Sequence, residues 1–165
     1  MISKRTNYIY DVIDRTNKTL MELGPERTTD YDLMQKASRM GIPLKGVFSK
    51  NELPKKALKG GYVINLQDSD DGNGTHWSCI YIKPKEAIYF DSFGFAPPFE
   101  VIDFCPTGKL RYNDVQIQDI DEAYCGDWCI LFLYYMSTKP NNIGGAKTLE
   151  QRYKAFMKQF KSLNK

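Results

Sequence analysis

Histidine is almost missing from this chain of 165 residues: there is one, His76. Any reaction that needs an imidazole must use it, and no second ring can stand in. Cysteine is sparse. Four of them, Cys79, Cys105, Cys125 and Cys129, do not form the dense disulfide framework of a small secreted domain. Long apolar runs are lacking too. The longest, residues 129–136, falls far short of the ~20 residues that span a bilayer. Residues 1–7 hold no apolar run of the kind a signal peptide carries. No charge of one sign dominates either. A net charge of +3 is weaker than the basic patch of most nucleic-acid binders. The nearest thing to such a patch, Lys45, Lys50, Lys55, Lys56 and Lys59, reads as a solvated loop. These absences lead to a soluble protein of a reducing compartment, with no membrane partner, where a free thiol survives.

What is present suits one folded domain. The length is enough to bury a sizeable core without staples. Hydrophobic residues at 42% and charged ones at 26% are ordinary for a globular chain. No internal repeat or linker divides it, so residues 1–165 are read as a single domain.

Periodicity places the elements. Ile9, Val12, Ile13, Thr16, Leu20 and Leu23 recur at helical spacing and end at Gly24-Pro25, which gives residues 1–28 a helical extension. Thr29-x-x-Asp32 resembles a capping box for a second helix, with Leu33, Ala37 and Met40 inward and Gly41 as its stop. Residues 41–60 read mostly as loop. Strands follow at 62–66, 76–82 and 87–91, with a turn at Lys83-Pro84-Lys85-Glu86. Residues 95–109, with Pro97-Pro98 and Pro106, read as surface chain, and 110–117 allow one more strand. Residues 125–136 form a helix apolar nearly all round, hence buried, ending before Pro140. A last helix, within 147–163, opens at Thr148-x-x-Gln151 with Leu149, Tyr153, Phe156, Phe160 and Leu163 inward. The fold class is α+β, a mixed or antiparallel central sheet packed by helices.

Four positions carry chemistry. If Lys83 pairs with Glu86, His76 faces Phe93 across the hairpin, and Asp91 lies diagonally on the same face as His76. A loop one residue longer would reverse that parity. Asp91 would then fix the imidazole tautomer and favour its charged form. Cys125 stands where the buried helix starts, and a helix N-terminus lowers a thiol's pKa. Gly126 leaves room beside the sulfur for backbone and substrate. The N–H groups of that turn, with the side-chain amide of Gln118, would serve a developing oxyanion, though Gln116 is a rival two residues away. Cys125-x-x-x-Cys129 also has the spacing of two metal ligands, but no second Cys/His pair accompanies it at ligand spacing. No metal or cofactor is expected, and Cys129 reads as core.

Gly74-Thr75-His76-Trp77, Asp91-Ser92-Phe93-Gly94-Phe95, Gln118 and Cys125-Gly126-Asp127-Trp128-Cys129 resemble the boxes of the adenovirus-type endopeptidases. These adenain-like enzymes, with relatives in virophages and polinton-like elements, join the ubiquitin-like-protein-specific proteases in one clan. The stretches Tyr31-Asp32-Leu33, Gly41-Ile42-Pro43, Lys45-Gly46-Val47-Phe48 and Glu52-Leu53-Pro54-Lys55 are similar to the viral branch, so the likeness spans about residues 29–136. It implies a papain-related fold with the nucleophile at the start of a buried helix. It implies His76 as general base, Asp91 as its orienting acid, Cys125 as nucleophile and Gln118 as oxyanion donor. Trp77 would wall a narrow groove for small substrate residues. In adenoviral members the acid is a glutamate, and Asp91 follows the wider clan instead. Those members also bond an activating peptide through a cysteine ahead of the glutamine. Cys105 lies in a comparable stretch, so an activating peptide or DNA is an allowed partner.

The implied activity is cleavage of viral capsid or core precursor polypeptides at small-residue, glycine-containing sites during virion maturation, by a monomer in the virion and infected cell. Three alternatives stay open: an isopeptidase for ubiquitin-like proteins, an acetyltransferase, and a non-catalytic binding module. A complete set of four argues against the last. No acetyl-CoA motif supports the third.

Overall fold

The structure is a computed structural model that describes residues 29–69, 76–106, 108–117 and 124–160. The helical extension expected over 1–28, Gln118 and Leu163 lie outside the described residues.

Thr29 opens α1 (Asp30–Arg39) with the expected capping box: its Oγ1 accepts from Asp32 N–H and Asp32 Oδ2 accepts from Thr29 N–H, both at 3.1 Å. Asp30 and Asp32 in the first turn and Lys36 and Arg39 in the last complement the helix dipole. Leu33 and Ala37 are buried. Met40, expected inward, is the C-cap and only half-buried, because the helix has already ended there.

Five strands follow: β1 (Leu44–Ser49), β2 (Gly60–Asn65), β3 (Trp77–Ile82), β4 (Ala87–Phe90) and β5 (Leu110–Tyr112). They lie in chain order across one sheet. The inner pairs β2/β3 and β3/β4 are antiparallel, and the edge pairs β1/β2 and β4/β5 are parallel, so the sheet is mixed. Two expectations are corrected here. Residues 41–60 hold β1 and a 3-10 turn (Lys50–Glu52) rather than mostly loop. Lys45 and Gly46 break the alternation, as an edge strand with a register shift between Leu44 and Gly46 permits. Residues 95–109 hold a short helix, α2 (Phe99–Phe104), with Pro98 as N-cap and Val101 buried. The prolines that suggested surface chain are compatible with a helix start. The strand allowed over 110–117 ends at Tyr112.

The inner strands are buried on both faces. Val63, Cys79, Tyr81, Ile88 and Phe90 pack toward the helices. Tyr62, Ile64, Ile80, Ile82, Ala87 and Tyr89 pack on the other side against Val101 and Phe104. The helical layer contains α3 (Cys125–Ser137) and α4 (Leu149–Phe160). Every residue of α3 but Trp128 and Ser137 is buried, as its apolar sequence demands. Phe156 sits between Phe90, Phe132 and Tyr135 in edge-on ring contacts. Thr148 and Gln151 cap α4: Thr148 Oγ1 accepts from Gln151 N–H at 3.1 Å. Tyr153, expected on its inner face, is half-buried, while Arg152 is buried. Among the described residues no helix is long and apolar enough to cross a membrane.

Candidate active site

The hairpin sets the geometry. Lys83 N–H donates to Glu86 C=O at 2.9 Å, and Cys79 pairs with Phe90. Extending that register puts His76 opposite Phe93, as the turn length implies. The two rings stack, centroids 4.3 Å apart and planes 10° from parallel. Asp91, the diagonal neighbour, reaches back so that its Oδ1 lies 2.8 Å from His76 Nε2. On the other side Leu66 N–H donates to His76 C=O at 3.0 Å, so the histidine backbone is held from β2 as well.

α3 begins at this end of the sheet. Its first residue, Cys125, is 9% exposed, and its Sγ accepts from the Trp77 backbone N–H at 3.4 Å. Trp77 directly follows the histidine, so that bond ties the sulfur to the strand that carries the imidazole. The N-cap, Tyr124, supplies no side-chain hydrogen bond, so no cap side chain claims the first-turn N–H groups of α3. Those groups are the donors an oxyanion beside Cys125 would use.

Electrostatics favour a charged imidazole. Burial works against the charge, but the bond to Asp91 and the nearby Cys125 sulfur outweigh it and raise His76 from 6.5 to about 9. With Nε2 committed to Asp91, Nδ1 is the nitrogen left for the thiol. It is buried and makes no aligned hydrogen bond, although Cys125 lies near enough to raise the ring's pKa. Such bonds are commonly long until substrate arrives. Asp91 is fully buried, and its Oδ1 also accepts from Phe93 N–H at 2.8 Å.

Sequence reasoning therefore brought together His76, Asp91, Cys125 and Trp77. Gln118 lies outside the described residues; its rival Gln116 is exposed. Gly126 is buried, and the structure gives its lack of a side chain a different reason. A Cβ there would lie 2.9 Å from Leu33 Cδ2 and 3.3 Å from Trp77 Cδ1, so glycine lets α1 and β3 close on α3. Cys129, one turn on, is fully buried, and burial with Cys79 beside it pushes its thiol well up. It is core. Among the described residues no group of three or more His, Cys, Asp or Glu is arranged to hold a metal ion. Cys105 follows α2 half-buried, packed against the far face of the sheet.

Two neighbours escaped the sequence reading. Lys36 of α1 pairs with Asp127, two residues after the candidate nucleophile, and ties α1 to the first turn of α3. Asn113 is fully buried against Asp91. An asparagine directly after a strand was its only signal, since strands disfavour that residue. No protein-family model and no curated protein matches the chain.

Proposed function

We propose that the protein is a cysteine endopeptidase whose nucleophile is Cys125. The observation that carries the reading is one imidazole, His76, bonded at Nε2 to a buried carboxylate, with Nδ1 left open and a thiol at a helix start near enough to raise the ring's pKa. In the proposed reaction His76 holds the Cys125 proton as an imidazolium, and the thiolate sulfur attacks the carbonyl carbon of the scissile peptide bond. The oxyanion is stabilised by N–H groups at the start of α3 and by the Gln118 amide. The C–N bond then breaks, His76 gives its proton to the departing amine, and a thioester remains on Cys125. Water, deprotonated by the same ring, hydrolyses the thioester and restores the thiol. Asp91 holds the tautomer and stabilises the imidazolium without accepting the proton.

The resemblance supplies the substrate: capsid or core precursor polypeptides of a virus, cut at small-residue sites. The test is to incubate purified protein separately with such precursors and with ubiquitin-like conjugates. Cleavage of the precursor alone, lost in Cys125→Ala, is the expected result. Cleavage of the conjugate alone would make it an isopeptidase. Undiminished cleavage by Cys125→Ala would remove the nucleophile.

A further inference from the structure

Asp91 is aimed through its backbone. Its Oδ1 serves His76 and Phe93, while its buried Oδ2 has no hydrogen-bond partner among the described residues, so no second side chain steers the carboxylate. What fixes the residue lies just past the end of β5. The β4/β5 ladder stops with Tyr89 beside Tyr112, and the side chain of the next residue takes over. Asn113 Oδ1 accepts from Asp91 N–H at 2.9 Å, and Asn113 Nδ2 donates to Asp91 C=O at 2.6 Å. The same nitrogen donates to Val115 C=O at 3.1 Å. The partners fix which end of the amide is which, because an N–H only donates and a carbonyl only accepts.

Further bonds lock the turn to the same segment. Ile117 N–H donates to Ser92 C=O at 2.8 Å. Gly94, at φ +79°, lies so close to the peptide between Val115 and Gln116 that a Cβ would sit 3.0 Å from the Gln116 nitrogen. A carboxamide offers one donor end and one acceptor end, as a peptide group does, and so replaces a rung of the ladder. Aspartate would lack the donor, leucine both ends, and glutamine would be one methylene too long.

We propose that Asn113 is a positioning residue of the site: its side-chain amide grips the Asp91 backbone on both sides and thereby aims the Asp91 carboxylate at His76 Nε2. It acts through Asp91 rather than on the reacting atoms. As a statement about catalysis this rests on the proposed peptidase; as a statement about Asp91 and His76 it does not.

The test uses the full chain and exploits its one histidine, whose imidazole NMR signals titrate without overlap. In Asn113→Ala the His76 pKa should fall by at least about one unit from the wild-type value toward that of a free imidazole. The hydrogen-bonded Nε2 proton signal should weaken with it. On a cleaved precursor, kcat should drop about 10- to 100-fold with KM within about threefold, because only the alignment of the acid is lost. Were Asn113→Ala not to fold, Asn113→Ser, whose hydroxyl still accepts from Asp91 N–H, should show a smaller fall in the same pKa. A folded variant whose His76 titrates as in wild type would overturn the assignment, as would a loss confined to KM. The titration needs no turnover, so a chain that cleaves nothing would sink the peptidase reading and still decide this one.

Discussion

Both ends of α3 bury polar groups, and they treat them in opposite ways. At the C-terminal end the buried guanidinium of Arg152 spends its donors on backbone: Nη1 on Tyr135 C=O at 3.0 Å and Thr138 C=O at 2.6 Å, Nε on Lys147 C=O at 3.0 Å. Burial pulls its pKa down, yet a cation among the last carbonyls of a helix is well placed. At the N-terminal end His76 bonds through Nε2 alone, and its Nδ1, Asp91 Oδ2 and Asp127 Oδ2 have no partner among the described residues. Arg152 uses its bonds to anchor backbone, whereas a nitrogen left open on His76 can exchange a proton. One helix carries an anchor at one end and the proposed chemistry at the other.

The contrast breaks most sharply at the reactive end. Cys125→Ala and His76→Ala should each lower turnover by a factor on the order of 10⁴ or more, and Cys125→Ala should change thermal unfolding little. A large loss of stability in Cys125→Ala, measured by calorimetry, would make that residue structural like Arg152. Asp91→Asn should come next, with a loss approaching roughly 10⁴ in turnover, since an amide cannot stabilise the imidazolium as a carboxylate does.

Gln118→Ala should cost about 100- to 1000-fold in turnover and leave alkylation of Cys125 by a small reagent nearly unchanged, because alkylation develops no carbonyl oxyanion. Gln116→Ala should change little in either assay. A swap of these behaviours would assign the oxyanion donor to Gln116.

At the anchoring end the expectation inverts. Arg152→Ala should destabilise the fold by roughly 2–4 kcal/mol in urea unfolding, because buried carbonyls lose a charged donor. Activity per folded molecule should persist. A comparable effect is on stability against pH. Folding raises the His76 pKa from 6.5 to about 9, so the folded state binds the extra proton between those values. That contribution is complete below about pH 6.5 and is lost as pH rises through about 9. The decline should vanish in His76→Ala, and a His76→Ala chain with the wild-type pH profile would contradict the assigned shift.

Much of the site was legible because it depends on local rules. The four-residue turn at Lys83-Pro84-Lys85-Glu86 fixed the parity that joins His76 to Asp91, and an all-apolar helix had to start near Cys125. The Thr29 and Thr148 caps were readable for the same reason. What escaped is tertiary. β1 is a strand because β2 offers it an edge, despite Lys45 and Gly46. Asn113 matters only because β5 lies beside β4, and Gly126 is small because Leu33 arrives from another helix. Arg152 carries a charge that no periodicity rule would turn inward.

The central claim is that His76 and Cys125 form one reactive pair. Limiting iodoacetamide at neutral pH, with the labelled cysteines identified by mass spectrometry, tests it directly. Exposure alone ranks Cys105 first, for it is half-buried while Cys125 is 9% exposed and Cys79 and Cys129 are fully buried. The reactive pair ranks Cys125 first in the wild-type protein and returns first place to Cys105 in His76→Ala. Labelling of Cys105 ahead of Cys125 in the wild type, or a Cys125 that reacts equally fast without His76, would contradict the account.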